Sequence, residues 1–282
     1  MNNIVLASTG AFVGRVNGRN HRLIMQYAPL LHCDGLEFMM YEAWYDKMDQ
    51  IIADLKDTEI LFPVLHTEKL IGEFISRNES DDEKEAIERF KKNCYMAAGL
   101  NAKKLVQHLW SGIPSDSNIE HNIETFAILY EIAGSYGLTL TIENIVCNIQ
   151  DPLTHLKSLN ECYPNIQFTF DTRMAAFHNQ LELCYEEEWN WLWEKNKTTH
   201  LHISDYDGGY KEWSRLNALH IGNGNIDFHK FFQFINNNEY EKTVTVESTS
   251  MIKTGEVDIK SLNQSLDFVR LKCNCRKSTV LF

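Results

Sequence analysis

Short runs of apolar and β-branched residues alternate along this chain with longer stretches whose apolar positions recur every three or four residues. That alternation is what repeated strand–helix units around a parallel sheet produce. Eight short runs can be counted, at 4–8, 35–40, 60–66, 104–110, 138–143, 166–171, 199–204 and 243–247. Helical spacing fills 46–55, 80–98, 118–136, 152–162, 227–235 and 258–271, with Ser80 and Glu83 placed as a capping box for the second of these. Eight strands alternating with helices predict an α/β fold, a (β/α)8 TIM barrel. No low-complexity linker interrupts the pattern. A single domain over 1–282, with 271–282 as a C-terminal tail, is therefore expected. The one long connection, 205–225, carries Gly208, Gly209, Gly222 and Gly224, and long connections in compact domains are often functional.

Composition narrows the partners. At 282 residues and 44% hydrophobic content the chain can bury one large core, and 39 acidic against 27 basic side chains leave a formal charge of -12. That charge repels nucleic-acid phosphates and anionic membrane surfaces, so neither is an expected partner. Residues 1–10 lack a cationic flank and a long apolar run, which argues against a signal peptide or membrane anchor and for the cytoplasm. The seven cysteines are scattered without metal-ligand spacing, and Cys273 and Cys275 fall in the polar tail. Trp189, Trp191 and Trp193 suit packing or an oligomer contact, which leaves a homo-oligomer open.

Polar residues stand at the ends of these strands, where a parallel strand is ordinarily apolar on both faces. They are Glu37, His66, His108, Glu143, Asp171, His202 and Glu247. A barrel gathers such ends on one rim, so residues distant in sequence converge on one cavity. Carboxylates crowded into a partly buried pocket need a cation, because desolvating each ion costs several kcal/mol. Glu143, Asp171, His202 and Glu247 form a mostly hard ligand set for one divalent metal ion, favouring Mn²⁺, with Mg²⁺, Co²⁺ or Zn²⁺ also admissible. His200, inward by the same period but deeper, reads as a structural or supporting residue.

On these residues the chain resembles the xylose isomerase-like TIM barrel superfamily of sugar phosphate isomerases and epimerases, inosose dehydratases and apurinic-site endonucleases. The matching segments, in order, are Gly35-Leu36-Glu37, Leu65-His66, Val106-Gln107-His108, Thr141-Ile142-Glu143-Asn144, Thr169-Phe170-Asp171-Thr172, His202-Ile203-Ser204-Asp205, His220-Ile221-Gly222-Asn223-Gly224 and Val246-Glu247. The resemblance implies metal ligation by Glu143, Asp171, His202 and Glu247, and substrate or accessory contacts from Glu37, His66 and His108. Two departures stand out. The family often has a His three residues after its strand-six Asp, where this chain has Met174. The endonuclease branch uses an Asp-x-His where this chain has Leu216, Asn217 and Ala218, which sets a multi-metal phosphodiesterase below the other readings. His178 is a candidate to stand in for the missing His. Arg173 is a candidate contact for a substrate phosphate or carboxylate, or else a salt bridge at the rim.

The resemblance implies, and the residues permit, proton transfer beside a carbonyl in a sugar, ketose or polyol. A metal polarises the carbonyl and stabilises an enediolate. Glu143 and Glu247, the expected catalytic pair, then remove and return the proton from opposite faces, giving isomerisation or epimerisation. Loss of a β-hydroxyl instead would make a dehydratase or lyase acting on a cyclitol, keto-sugar or glycoside. A non-catalytic sugar-binding barrel is the reading most unlike these, and it gives no reason for both glutamates. Trp110 is the expected stacking surface for a sugar ring, His220 with its glycines is expected to shape the loop over the substrate, and Glu68 or Lys69 to close the pocket. No phosphate-binding glycine loop with a basic cradle is present.

Overall fold

A computed structural model of the protein describes residues 3–273. Eight parallel strands, β1 (Ile4–Ser8), β2 (Gly35–Met39), β3 (Val64–His66), β4 (Lys104–Gln107), β5 (Thr139–Glu143), β6 (Gln167–Asp171), β7 (Thr198–Ile203) and β8 (Thr243–Val246), close in sequence order into a barrel. β8 pairs back onto β1. Around them lie α1 (Arg22–Tyr27), α2 (Met48–Lys56), α3 (Leu70–Arg77), α4 (Ser80–Gly99), α5 (Ile119–Ser135), α6 (Pro152–Cys162), α7 (Thr172–Phe177), α8 (Phe228–Asn237) and α9 (Ile259–Cys273). This is the expected (β/α)8 architecture. Among the described residues no helix is long and apolar enough to cross a membrane.

The outward strand residues and the helices' inner faces merge in one buried cluster that includes Phe38, Leu105, Ile142, Phe168, Phe170, Leu201 and Val244. Inward rows follow the two-residue period of a strand. Leu6, Val64 and Val106 make a small apolar plug inside the barrel. Thr141 and Thr169 join hydroxyls at 2.7 Å. Two residues further along these and the neighbouring inward rows stand His66, His108, Glu143, Asp171, His202 and Glu247. The site is thus a continuation of the core's own periodicity with the residue chemistry changed.

Several boundaries differ from the sequence expectation. Residues 60–63 lie outside β3, which begins at Val64 after Pro63, a residue with no N–H for the ladder. β4 ends at Gln107, and Leu109 and Trp110 turn into the core. Ser80 is the first residue of α4 rather than its cap; Glu79 caps, and no side chain makes the capping bond. The tryptophan cluster packs inward: Trp191 meets Phe168 and Trp193 meets Phe170, with ring centroids 6.0 and 5.1 Å apart. All six described cysteines are free thiols. Residues 271–273 complete α9, and the rest of the expected tail, 274–282 with Cys275, lies outside the described residues.

Candidate active site

Asp171 shows how local folding builds the site. It ends β6 and caps α7, its Oδ1 accepting N–H bonds from Arg173 and Met174 at 2.7 and 3.0 Å. Asn144 locks it further, accepting the Asp171 N–H at 2.6 Å and donating to the Asp171 carbonyl at 3.1 Å. A carboxylate fixed in this way is already oriented before any ligand arrives.

Glu143 is the hub. Its Oε1 faces His202 Nδ1 at 2.9 Å, and its Oε2 faces His108 Nε2 at 2.6 Å and His66 Nε2 at 3.3 Å. His66 gives its Nδ1–H to the Thr67 carbonyl at 2.8 Å, which aims its other nitrogen at Glu143. Glu247, one residue beyond β8, brings Oε1 to 3.7 Å from His202 Nδ1. One ligand atom each from Glu143, Asp171, His202 and Glu247 all lie within 4.8 Å of one another, so the expected metal quartet converges. His66 and His108 stand beside it with ring centroids 4.8 Å apart.

Of the substrate and accessory places expected for Glu37, the geometry matches the accessory one. It is fully buried and lies behind His202, accepting from His202 Nε2 at 3.0 Å, His200 Nε2 at 2.8 Å and Thr245 Oγ1 at 2.6 Å. The geometry makes it a support for His202 rather than a wall for substrate. With Nε2 committed to Glu37, His202 presents Nδ1 to the cavity, the arrangement by which carboxylates orient metal-binding histidines. His200 passes the network on to Thr243 Oγ1 at 2.6 Å, which agrees with its expected supporting role.

The electrostatics of the cluster favour a cation. Burial opposes charge on His202, yet Glu247, Glu37 and Glu143 hold it protonated well above the usual imidazole range. Burial likewise opposes ionisation of Glu37 and Glu143, but His202 with His200, and His202 with His108, keep both well below the carboxylate range. Asp171 is pushed up to about 6 by burial, against the pull of Arg173 and with the help of Glu143 and Glu247. His108 and His200 are lowered to about 4 by burial and are neutral at neutral pH. Four acids thus share two fixed or induced cations, Arg173 and His202. A divalent ion would remove that deficit, and the oxygen-rich donor set suits one.

Arg173 forms the salt bridges foreseen as one of its two roles. Its Nη2 is 3.3 Å from Asp171 Oδ2 and 3.7 Å from Glu247 Oε2, and its Nε donates to Ser204 Oγ at 3.1 Å. Trp110 does not offer a stacking face: it is 0% exposed, with its ring 5.2 Å from that of His155 and its indole N–H directed at the Ile145 carbonyl. His220 stays outside the cluster, its Nδ1 3.3 Å from Ser265 of α9. Glu68 is buried in an ion pair with Arg89 at 3.2 Å and cannot swing over the pocket, whereas Lys69 is exposed. His178 does not replace the His absent at Met174. Its Nε2 accepts the Cys147 N–H at 3.0 Å, and burial lowers it to about 4, aided by Lys211.

Two organising residues escaped sequence reasoning. Asp205 receives N–H bonds from Tyr206, Gly222, Gly224 and Ile226, so this carboxylate, not His220, shapes the long loop. At Gly224 a Cβ would come within 2.5 Å of Asp205 Oδ1 and 2.6 Å of the Tyr206 carbonyl, which is why glycine stands there. Asp116 holds the loop after β5 by accepting N–H bonds from Asn148, Ile149 and Gln150, and it pairs with His155 at 2.9 Å. Asp205 closes the His202-Ile203-Ser204-Asp205 segment, which is the signal that points to it, whereas nothing around Asp116 in the sequence distinguishes it.

Comparison with known proteins agrees with the barrel fold. The profile of the family described as xylose isomerase-like TIM barrel matches residues 28–270. None of the curated proteins matches the chain. A solved D-tagatose 3-epimerase-like protein is 20% identical, with 95% of this chain and 99% of that one covered and a TM-score of 0.68. D-allulose 3-epimerase from Methylomonas sp. in complex with D-allulose is 15% identical, with 96% and 97% covered and a TM-score of 0.69. The IOLI protein with a binding zinc atom is 14% identical, with 97% and 100% covered and a TM-score of 0.71. At these identities the likeness is one of fold.

Proposed function

The chain belongs to the xylose isomerase-like TIM barrel family, and on that premise we propose that it is a divalent-metal-dependent isomerase or epimerase that moves a proton next to the carbonyl of a ketose or related sugar. The observation that carries the proposal is the convergence of Glu143, Asp171, His202 and Glu247 within 4.8 Å at the carboxyl ends of four strands. Solved proteins of the same fold are a D-tagatose 3-epimerase-like protein and a D-allulose 3-epimerase holding D-allulose, which supports a sugar substrate, and one binds zinc, which supports a metal. The donor set, three carboxylates and one imidazole, favours Mn²⁺ with Mg²⁺, Co²⁺ and Zn²⁺ as alternatives.

Glu143, Asp171, Glu247 and the Nδ1 of His202 would hold the ion, and when bound it supplies Lewis acidity that makes a carbonyl's neighbouring C–H easier to ionise. Glu143 and Glu247 project from β5 and from the end of β8, so they can address a substrate from two sides, one removing the proton and the other returning it. Glu143 is pinned by His108 and His202, with His66 Nε2 3.3 Å from its Oε2. Glu247 is the more accessible, with 10% of its side chain exposed. His108, neutral at neutral pH, donates its Nε2–H to Glu143 and keeps that carboxylate oriented. Burial around the pair excludes water that would compete for the transferred proton.

The test is proton exchange in heavy water. Protein loaded with Mn²⁺ is incubated with a panel of ketoses and inososes, and deuterium is read by NMR at the carbon beside the carbonyl. Exchange accompanied by an epimer or isomer, absent in Glu143→Gln and Glu247→Gln, is the expected result. Loss of a hydroxyl from the product would replace this proposal with a dehydratase or lyase. Metal-loaded protein that catalyses no exchange in any substrate of the panel would overturn it.

A further inference from the structure

The guanidinium of Arg173 sits where a second cation should be unwelcome if a metal is to bind. Both acceptor directions of Asp171 Oδ1 are taken by backbone N–H groups, at 2.7 and 3.0 Å, which leaves Oδ2 as the oxygen free to meet a cation. Arg173 Nη2 already donates to that oxygen at 3.3 Å and lies 3.7 Å from Glu247 Oε2. Its Nε is tied to Ser204 Oγ at 3.1 Å and the residue is only 8% exposed, so the group is held in place rather than free to turn to solvent. Two of the four carboxylate or imidazole groups proposed to bind the ion are therefore shared with a permanent positive charge.

We propose that Arg173 is a built-in competitor of the metal: it neutralises Asp171 and Glu247 when no ion is bound and lowers the affinity with which they take one. The inference rests on the metal-binding reading given above. Its consequences have opposite signs in the two states. In the metal-free protein Arg173 offsets repulsion among buried carboxylates and stabilises the fold. Toward a divalent ion it acts by like-charge repulsion and by occupying an acceptor. A residue that merely packs, or one that orients the carboxylates for the metal, would not show this crossed pattern.

The experiment is isothermal titration of the EDTA-stripped full chain with Mn²⁺ alone, paired with thermal melts before and after loading. Arg173→Gln is expected to bind Mn²⁺ at least tenfold more tightly than wild type while the metal-free protein melts at a lower temperature. Arg173→Lys, which keeps the charge, is expected to stay within threefold of wild-type affinity. Ser204→Ala releases the Nε anchor without touching the charge and is expected to tighten Mn²⁺ binding at least twofold, so the inference can still be tested if Arg173→Gln does not fold. Unchanged or weaker binding in Arg173→Gln or Ser204→Ala, with wild type still binding, overturns this inference alone. No Mn²⁺ bound by wild type or by either variant overturns the metal reading together with it.

Discussion

Replacing Glu37 by Gln changes one atom in the middle of the barrel and tests whether the site is supported from behind. The carboxylate is 0% exposed and accepts from His202, His200 and Thr245 at 3.0, 2.8 and 2.6 Å. A carboxamide keeps one acceptor oxygen and turns an N–H₂ group toward donors, so at least one imidazole N–H loses its partner. Breaking one side of a buried ion pair costs about 3–5 kcal/mol. Loss of one or two charge-assisted hydrogen bonds at about 1.5–3 kcal/mol each gives about 1.5–6 kcal/mol, which brackets that figure. The metal-free Glu37→Gln protein should therefore lose about 3–5 kcal/mol in a urea titration at pH 7. Freeing the far nitrogen of His202 should also weaken Mn²⁺ binding roughly 10–100-fold, the usual cost of losing the partner that orients a metal-binding histidine. Thr245→Val, which removes one hydroxyl donor to the ionised carboxylate, should cost less, about 1.5–3 kcal/mol. A Glu37→Gln protein within about 1 kcal/mol of wild type, with unchanged metal affinity, would refute the supporting role.

Further outcomes follow from the same geometry. His108, His178 and His200 are held near 4, below the ordinary 6.5, while Asp171 is held near 6, above 3.8. Around pH 5 the unfolded chain then binds three more protons at these histidines and one fewer at Asp171. These four groups should make the metal-free protein lose stability as the pH falls from 6.5 toward 4, with a slope of up to about 2.7 kcal/mol per pH unit, read from urea midpoints; a flat profile between pH 6.5 and 4.5 would contradict it. Gly72→Ala places a Cβ 2.3 Å from the His108 carbonyl oxygen, a backbone atom that cannot swing aside. Thermal melts should show a loss of about 1–3 kcal/mol, and none would mean that α3 is free to shift. Trp110→Phe should lower stability by about 1–3 kcal/mol through a small cavity and leave the KM for a turned-over ketose unchanged, because the indole is sealed in the core. A raised KM would return Trp110 to the substrate pocket.

The barrel and its ring of polar strand ends were legible because both rest on strong local signals. Alternating apolar runs fix strand and helix, and a Glu or His inside a run such as Thr139–Glu143 stands out against its neighbours. What sequence could not show was depth and direction. Glu37 and His66 both occupy inward positions at strand ends, yet Glu37 supports His202 from below while His66 faces Glu143, because strand stagger in a closed barrel sets the height of each residue. Trp110 follows His108 by two residues, a spacing that predicts the same cavity, but β4 ends at Gln107 and the period no longer applies. Short α7 was hidden because Asp171 reads as a strand end and only its hydrogen bonds reveal the cap. Asp116 lies far along the chain from the loop it holds, and such a contact leaves no periodic trace.

Metal analysis of the protein purified without chelator, set beside Glu143→Gln and Glu247→Gln, is the most direct test of a single divalent-ion site at the barrel mouth. The account predicts close to one ion per chain in wild type, reduced in both variants. No ion under any loading condition would contradict it, and two or three ions per chain would contradict the single site and point back to phosphoester hydrolysis.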